Sequence, residues 1–357
     1  MLVKLDFQVS DMESSALNTT VSDGALSKDL GNQALLCVAC GHSCKLRPGQ
    51  RGVCMVRWNE DGVLKVPFGY TAGVHNDPIE KKPFFHALPG SRALSFGMLG
   101  CDFKCAYCQN WFSSQTFRDP ASTTEHSPAT PKSLCDLAQS AGARTIVSTY
   151  NEPLITAEWG VAVFKEAKSR NLKTAFVSNG HGTPEVLDYL KPWIDFYKVD
   201  LKSFSERNYR RLSGNLPAVL DTIQYLHSAG IWLEIVTLVI PGYNDSDTEL
   251  REIAEFIAHL SIDIPWHITA FHPDYKMRDR ERTSPSTLLR AWEAGRKAGL
   301  NYVYSGNLPG QIENTENTHC PDCGIVLVER YGFEVIVNRI SGSACPQCHC
   351  PIPGRWN

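Results

Sequence analysis

Three cysteines stand close together in the segment GCDFKCAYCQNW with the spacing C-x3-C-x2-C: Cys101, Cys105 and Cys108. A structural zinc site is normally closed by four protein ligands. An iron–sulfur cubane also takes four ligands, so three thiolates would leave one iron open to bind and activate another molecule. The odd number of ligands therefore favours a working iron–sulfur site. The alternative is part of a zinc knuckle whose fourth ligand comes from elsewhere in the chain.

Eight further cysteines fall into two sets of four, one on each side of this triplet. The C-terminal set has two C-x2-C pairs, which is the spacing of a zinc ribbon: Cys320, Cys323, Cys345 and Cys348. The N-terminal set has the spacing C-x2-C-x3-C-x9-C and suits structural zinc, a second iron–sulfur cluster or reduced thiols without a metal: Cys37, Cys40, Cys44 and Cys54. Cys350 could substitute as a ligand in the C-terminal set, and Cys135 is predicted to be a small core residue.

The composition is that of an ordinary globular protein, with 43% hydrophobic and 20% charged residues and a formal net charge of −3. This balance gives no general electrostatic support for nucleic-acid binding. No apolar run approaches the ~20 residues needed to span a bilayer, and the N-terminus lacks the features of a signal peptide. Because eleven of the thirteen cysteines group as metal-ligand sets, we expect a reducing, cytoplasmic location and not a disulfide framework.

Short apolar runs alternate with longer amphipathic ones through the middle of the chain. The predicted strands are Ala93–Gly100, Arg144–Tyr150, Lys173–Asn179, Asp195–Leu201, Ile231–Ile240 and Trp266–Phe271, with Asn301–Tyr304 as a weaker seventh. Helices are predicted to begin at Thr130-Pro131, Thr183-Pro184 and Ser284-Pro285, and at a capping box formed by Ser246 and Glu249. This alternation predicts an α/β fold with a parallel sheet, arranged as a partial (β/α)6 TIM-like barrel.

The chain divides into four predicted parts. They are a disordered or loosely ordered tail (1–32), a Cys-rich metal-binding subdomain (33–89), the partial barrel (90–310) and a zinc-ribbon-like segment (311–357). The barrel is therefore expected to carry the chemistry, with a cysteine-rich segment on each side.

Polar residues follow successive predicted strands, where a β/α barrel carries its chemistry. They are Asn151 and Glu152 after the second strand, Asn179 after the third, Asp200 and Lys202 after the fourth, and His272 after the sixth. Each residue alone has an ordinary explanation, such as a helix cap or a surface ion pair. Their occurrence at successive strand ends predicts a binding pocket at one mouth of the barrel.

The ordered motifs of the chain resemble a known family. The cysteine triplet, with the aromatic Tyr107 before its last cysteine, is similar to that of the radical S-adenosylmethionine (radical SAM) superfamily, of the pyruvate formate-lyase activating-enzyme type. From about Cys37 onward the chain resembles the AmmeMemoRadiSam-system branch. The motifs that carry this resemblance are CVACGHSCKLRPGQRGVC, YNEP, VDLKS, PWHITAFHPDYKM, YSGNLPG and PIPGRW.

The resemblance implies a fold and a chemistry. The fold is a partial barrel of radical SAM type, with a [4Fe–4S] cluster on the three cysteines of the triplet. SAM would bind the open iron and be cleaved reductively, giving a 5′-deoxyadenosyl radical that abstracts hydrogen from a substrate. Tyr107 is expected to lie near the adenine of SAM.

The resemblance also assigns a pocket for SAM. The Asn151-Glu152 segment takes the place of the family's Gly-Gly-Glu element, which receives the SAM amino group, and here both glycines are replaced. Lys202, beside Asp200, is expected to pair with the SAM carboxylate. Further residues expected on the SAM side are Asn179 and His272.

The substrate stays open at this stage. The resemblance implies a three-component system with AMMECR-type and Memo-type partner proteins, and an electron donor such as flavodoxin or ferredoxin. One alternative is an activating enzyme that generates a glycyl radical on a partner protein. A less favoured alternative is an iron–sulfur electron-transfer protein that does not use SAM.

Overall fold

Eight strands form the central sheet of the computed structural model, which describes residues 20–357. The strands of the described chain are β1 Val21–Asp23, β2 Ser27–Asp29, β3 Leu35–Cys37, β4 Lys45–Leu46, β5 Trp58–Glu60, β6 Val63–Pro67, β7 Tyr70–Thr71, β8 Gly73–Pro78, β9 Arg92–Gly97, β10 Ser127–Pro128, β11 Ala143–Ser148, β12 Lys173–Ser178, β13 Phe196–Asp200, β14 Trp232–Val239, β15 Trp266–Ala270, β16 Val303–Gly306, β17 Thr318–His319, β18 Val326–Tyr331 and β19 Glu334–Asn338. The α-helices are α1 Trp111–Ser114, α2 Pro131–Ser140, α3 Ala157–Ser169, α4 Pro184–Leu190, α5 Glu206–Arg211, α6 Leu216–Ser228, α7 Asp247–Leu260 and α8 Pro285–Lys297.

The central sheet has the order β8-β9-β11-β12-β13-β14-β15-β16. All neighbours from β9 to β16 are parallel, and β8 pairs with β9 in the antiparallel direction. Over residues 20–357, β8 and β16 are the two edges, so the strands do not close into a ring. The predicted α/β fold with a parallel sheet is therefore confirmed. The sheet has seven parallel strands instead of the six of the predicted barrel, because the segment predicted as a weaker seventh strand forms β16.

The helix starts follow the predicted cap residues. The side chains of Thr130, Thr183 and Ser284 each accept a hydrogen bond from a backbone N–H in the first turn of the helix that follows. Ser246 accepts from the N–H of Glu249, but the predicted capping box is only half formed. The carboxylate of Glu249 instead accepts hydrogen bonds from the residues that follow β13.

The N-terminal segment is folded from its first described residues. Residues 1–19 of the predicted tail lie outside the described residues, whereas β1 pairs with β6 and β2 pairs with β3. The backbone N–H groups of Ala25 and Leu26 donate to the carboxylate of Glu158 on α3, at 3.2 and 3.3 Å. These contacts anchor the segment to a barrel helix ahead of residue 33, the predicted start of the Cys-rich subdomain.

One end of the sheet is filled by the loop between β8 and β9. Phe84, Ala87 and Leu88 of this loop pack against Ala175 and Phe196 on one face of the sheet. The C-terminal segment covers the loop, since the backbone N–H of Leu88 donates to the carbonyl of Arg355 (2.7 Å) and that of Arg355 donates to the carbonyl of His86 (2.7 Å). The carboxyl ends of the strands remain as the mouth of the barrel.

None of the helices in residues 20–357 has the length and apolar character needed to cross a membrane.

Candidate functional site

The predicted cysteine triplet lies in the loop that follows β9 and faces a cavity of about 260 Å³. Cys105 is buried, while Cys101 and Cys108 are partly exposed. The side chain of Arg118 holds this loop in shape, because it donates to the carbonyls of Cys101 (2.6 Å) and Phe103 (3.0 Å). The three thiols therefore face the same cavity, and Arg118 fixes the backbone of the loop that carries them.

Burial changes the acid–base behaviour of these thiols. It raises the pKa of Cys105 to about 12, against a smaller opposing effect of the Lys202 ammonium. Burial likewise raises the pKa of Cys101 and of Cys108. Thiolates at this position therefore need a bound cation or cluster to stabilise their charge.

The cavity gathers most of the residues that the sequence placed at the strand ends. Its wall includes the predicted residues Cys101, Cys105, Tyr107, Cys108, Asn151, Glu152, Asn179, Asp200 and Lys202. Apolar wall residues from the middle strands are Val177, Val236 and Leu238. His272 is not part of the wall, and its Nε2 lies 2.9 Å from Nε2 of Gln109, which does line the cavity. The structure thus brings nine of the ten predicted residues to one space and leaves His272 beside it.

Asp200 sits between two lysine side chains. It binds the ammonium of Lys198, and its Oδ2 lies 3.1 Å from Nζ of Lys202. Although burial opposes ionisation, the two ammonium groups lower the pKa of Asp200 to about 2. The pKa of Lys202 is raised, because Asp200 and Cys105 outweigh the effect of burial. Two cations and one anion leave an excess positive charge beside the cavity, which suits an anionic group.

Lys198 was missed at the level of sequence. It lies two residues before Asp200 on β13, so both side chains point to the same face of the sheet. Burial lowers the pKa of Lys198, although Asp200 acts in the opposite direction. The period-two alternation of the strand was the available signal.

Glu152 is buried and its carboxylate is already engaged. It accepts hydrogen bonds from the hydroxyl of Ser178 (2.7 Å) and from the backbone N–H groups of Asn179 (2.8 Å) and Leu154 (3.0 Å). Burial and the neighbouring Asp102 carboxylate raise its pKa to about 8, against the effect of these donors. Glu152 therefore joins the ends of β11 and β12, and its neighbour Asn151 joins the β11 end to the β9 loop by accepting from the N–H of Met98 (2.9 Å).

Asn179 has both ends of its side chain occupied. Its Nδ2 donates to Asp102 (2.8 Å), and its Oδ1 accepts from the backbone N–H of His181 (2.8 Å). Asp102 and His181 were not singled out from the sequence, although a charged residue between two ligand cysteines was a signal. Asn179 therefore fixes the cysteine loop to the end of β12.

Tyr107 is 5% exposed and lines the cavity. Its hydroxyl is buried and has no hydrogen-bond partner among residues 20–357. A buried hydroxyl without a partner is costly, so a bound molecule with a polar group beside Tyr107 would stabilise it.

The C-terminal cysteines converge as the sequence predicted. The sulfurs of Cys320, Cys323, Cys345 and Cys348 all lie within 4.8 Å of one another. Cys350 also approaches, with its Sγ 3.3 Å from that of Cys320. Four thiols at this spacing can hold one tetrahedral metal ion, and the fifth lies next to them.

The N-terminal cysteines are arranged differently. Over the described part of the chain, Cys37, Cys44 and Cys54 belong to no group of three ligand-type residues whose ligand atoms lie within 4.8 Å of one another. The Sγ of Cys37 accepts from Nε of Arg57 at 3.3 Å, and that of Cys44 accepts from the N–H of Val53 at 3.5 Å. The four sulfurs are therefore not gathered around one point as the C-terminal ones are.

Parts of this chain are similar to known proteins. Residues 97–257 match the family model described as the Radical SAM superfamily. The chain is 35% identical over 312 residues to the uncharacterized protein MJ0808 of Methanocaldococcus jannaschii, covering 87% of this chain and 92% of that protein. It is 25% identical over 171 residues to the pyruvate formate-lyase 1-activating enzyme of Escherichia coli, covering 47% of this chain and 69% of that enzyme. In fold, the chain is similar to the solved structure of a radical SAM methyltransferase from Sphaerobacter thermophilus. The TM-score is 0.47, with 14% identity over 61% of this chain and 67% of that one.

Proposed function

The chain belongs to the radical SAM superfamily, and from this premise we propose that Cys101, Cys105 and Cys108 hold a [4Fe–4S] cluster at which SAM is cleaved. The observation that carries the proposal is that these three thiols line the same cavity as Tyr107 and Lys202. When bound, the cluster supplies the electron that splits SAM into methionine and a 5′-deoxyadenosyl radical, which removes hydrogen from a substrate.

The residues present fit these groups. Three cysteines give a cubane one open iron, and the raised pKa values of their thiols support a cationic centre here, because it would stabilise the thiolates. The unpartnered hydroxyl of Tyr107 provides a polar contact for a bound molecule. The excess positive charge of Lys198 and Lys202 over Asp200 fits a carboxylate.

Each polar residue then has a separate task. Lys202 would bind the carboxylate of SAM, and Asp200 would hold its ammonium in place. Glu152 acts as a positioning residue, because its carboxylate is already bound to Ser178 and Asn179. The apolar wall would exclude water from the reacting atoms. His272 would lie at the rim of the cavity and hold the side chain of Gln109, which lines it.

For the substrate, we propose an unidentified molecule within an AmmeMemoRadiSam-type system, with AMMECR-type and Memo-type proteins as partners. The support is the share of the chain that each similarity covers. The match to MJ0808 covers 87% of this chain, whereas the match to the pyruvate formate-lyase activating enzyme covers 47%. A large part of the chain is thus left outside the similarity to that activating enzyme.

The second candidate is an activating enzyme that generates a glycyl radical on a partner protein, which the similarity to the Escherichia coli enzyme favours. An iron–sulfur electron-transfer protein is the third candidate, and it would have no use for Lys202 in the cavity. Deuterium transfer into 5′-deoxyadenosine separates the first two. Label that comes only from a protein supports the activating enzyme, and label from a small molecule supports the first proposal.

The flanking segments complete the proposal. The C-terminal set is proposed to bind structural zinc, which would stabilise a segment too short for a core of its own: Cys320, Cys323, Cys345 and Cys348. A flavodoxin or a ferredoxin is the proposed electron donor.

Reductive cleavage of SAM tests the central proposal. The protein is reconstituted anaerobically with iron and sulfide, reduced and incubated with SAM, and 5′-deoxyadenosine is measured. Cys105→Ala should abolish its formation. Cys135→Ala is the matched control, because Cys135 is also buried but lies on α2, outside the cavity wall. Unchanged turnover in Cys105→Ala would refute the proposed chemistry.

A further inference from the structure

A fully buried carboxylate lies within the cysteine loop itself. Asp102 follows directly after Cys101, and it is not part of the cavity wall. Its Oδ1 lies 3.7 Å from the Sγ of Cys101, which faces it as a weak S–H donor. A cysteine that binds iron has lost this proton, because the thiolate is the ligand. The sulfur of Cys101 would then face the carboxylate as one negative charge facing another.

His181 is a neutral imidazole that donates a hydrogen bond to Asp102. Its Nε2 lies 2.8 Å from Nδ2 of Asn215, whose Oδ1 accepts from the backbone N–H of Ala218 at the start of α6. The helix cap therefore turns the amide N–H of Asn215 toward the ring, so Nε2 must accept. The ring proton is then on Nδ1, which lies 2.9 Å from Oδ2 of Asp102.

Asp102 is therefore ionised, and its hydrogen-bond partners are neutral. Its Oδ1 also accepts from Nδ2 of Asn179 at 2.8 Å, and neither this amide N–H nor the imidazole N–H can accept a carboxylic proton. In the described part of the chain, Asp102 forms no ion pair with a lysine or an arginine. Arg118 donates to the carbonyls on either side of Asp102, those of Cys101 and Phe103, and not to the carboxylate. A negative charge without a cationic partner thus lies buried beside Cys101.

The charge of Asp102 acts on the cysteine triplet from outside the cavity. Burial raises the pKa of Cys101, and the Asp102 carboxylate raises it further. Burial also raises the pKa of Cys105, where the Lys202 ammonium in the cavity wall acts in the opposite direction. The triplet therefore has a fixed anion on the side away from the cavity and a cation on the cavity side.

We propose that the Asp102 carboxylate lowers the reduction potential of the cluster on the triplet. The inference rests on the proposed function, in which Cys101, Cys105 and Cys108 hold a [4Fe–4S] cluster. Reduction adds one negative charge to the cluster, so a fixed anion beside it destabilises the reduced form more than the oxidised form. A cluster of lower potential is a stronger reductant, which favours transfer of its electron to SAM. His181 is a positioning residue that holds the carboxylate in place.

A redox titration of the full-length protein tests the proposal. The protein is reconstituted anaerobically, and the reduced cluster is followed by electron paramagnetic resonance. At the wild-type midpoint potential, Asp102→Asn should have a roughly tenfold higher ratio of reduced to oxidised cluster, a positive shift of about 59 mV for one electron. High salt should not remove this shift, because a buried charge is poorly screened. Asp136→Asn, which removes an exposed carboxylate on α2, should leave the midpoint unchanged.

Equal midpoint potentials in the wild type and Asp102→Asn, at equal iron content, would overturn the proposal. If Asp102→Asn does not hold the cluster, the pair Asp102→Glu and Asp102→Gln decides, because these two variants differ in charge and hardly in size. Asp102→Gln should then have the higher potential, and equal values in the pair would overturn the proposal.

Formation of 5′-deoxyadenosine is measured separately, so that the two proposals can fail independently. A wild-type protein that holds a cluster but forms no 5′-deoxyadenosine would contradict the proposed function, while a shift in Asp102→Asn would still support the role of Asp102. A wild-type protein that takes up no cluster would overturn both.

Discussion

The ammonium of Lys202 lies 3.1 Å from Oδ2 of Asp200, at the end of β13 and in the wall of the cavity. Asp200 also binds the ammonium of Lys198. The carboxylate therefore holds Lys202 in place without fully neutralising its positive charge. An ammonium that is fixed by one carboxylate and has charge left over can bind a second carboxylate with little further loss of conformational freedom.

Lys202→Met should therefore weaken SAM binding to the reconstituted protein. A hydrogen bond to a charged group contributes about 1.5–3 kcal/mol, so we expect the Kd to rise roughly tenfold to hundredfold. Equilibrium binding of SAM under anaerobic conditions measures the effect. Lys132→Met, which removes an exposed lysine paired with Asp136, should leave the Kd unchanged. Equal affinities in both variants would mean that Lys202 does not contact SAM.

The features that could be predicted from the sequence are those that depend on residues close together in the chain. Strands and helix starts follow from apolar runs and cap residues, and Thr130 and Ser284 begin their helices as expected. Convergence of Asp200 and Glu152 on one cavity follows from the parallel sheet, because the carboxyl ends of its strands meet at one edge.

The partners of each side chain could not be predicted in the same way. Asn179 was expected on the SAM side and does line the cavity, but its hydrogen bond to Asp102 on the cysteine loop was not predicted. Cys40 and His181 are far apart in the sequence, and only the fold brings them together. The edge strand β8 was also missed, because its sequence, GVHNDP, has neither an apolar run nor a clear alternation.

A second prediction concerns the buried ion pair between Arg57 and Glu158, which joins the N-terminal segment to α3. Both side chains are buried, and NH1 of Arg57 lies 2.7 Å from Oε2 of Glu158. Glu158→Gln leaves the arginine charge without its partner, so the free energy of unfolding should fall by about 3–5 kcal/mol. Urea denaturation measures the change.

The matched control for this pair is on the surface. Glu206→Gln removes an exposed ion pair with Arg210 and should not measurably change stability. The double variant Arg57→Met/Glu158→Met should be more stable than Glu158→Gln, since no buried charge is left alone. If Glu158→Gln were as stable as the wild type, the pair would not anchor the segment.

A third prediction concerns pH and His86, which is fully buried between the barrel and the C-terminal segment. Its Nδ1 lies 2.7 Å from the carbonyl of Pro353, and its Nε2 lies 2.6 Å from the hydroxyl of Tyr304. Burial lowers its pKa to about 4, although Glu234 acts in the opposite direction. The unfolded chain therefore binds the proton first as pH falls, and the stability due to His86 is lost below about pH 6.5.

Between about pH 7.5 and about pH 5.5, this residue should lower the free energy of unfolding by roughly 1.4 kcal/mol. Urea denaturation of the wild type and His86→Gln at both pH values isolates the contribution of His86 to the free energy of unfolding, because all other titrating groups are common to the two proteins. The variant should lose less stability on acidification than the wild type. An identical loss in both proteins would show that His86 can be protonated without cost in the folded state.

The last prediction concerns the fifth cysteine of the C-terminal set. The Sγ of Cys320 lies 3.5 Å from that of Cys348 and 3.3 Å from that of Cys350, so a spare thiol stands beside the exposed Cys348, a proposed zinc ligand. Cys348→Ser should therefore keep close to the wild-type zinc content, with Cys350 taking over as the fourth ligand. Zinc content and the rate of zinc transfer to a chelator measure retention and tightness.

The double variant Cys348→Ser/Cys350→Ser should lose this zinc, because only three thiols remain around the ion. Cys323→Ser should also lose it, because the Sγ of Cys323 contacts that of Cys345 at 3.6 Å, whereas the Sγ of Cys350 contacts that of Cys320 at 3.3 Å. If Cys348→Ser alone released zinc as completely as the double variant, Cys350 would be a neighbour of the site and not a ligand. Retention in the single variant, followed by loss in the double one, identifies a four-ligand site with a reserve thiol.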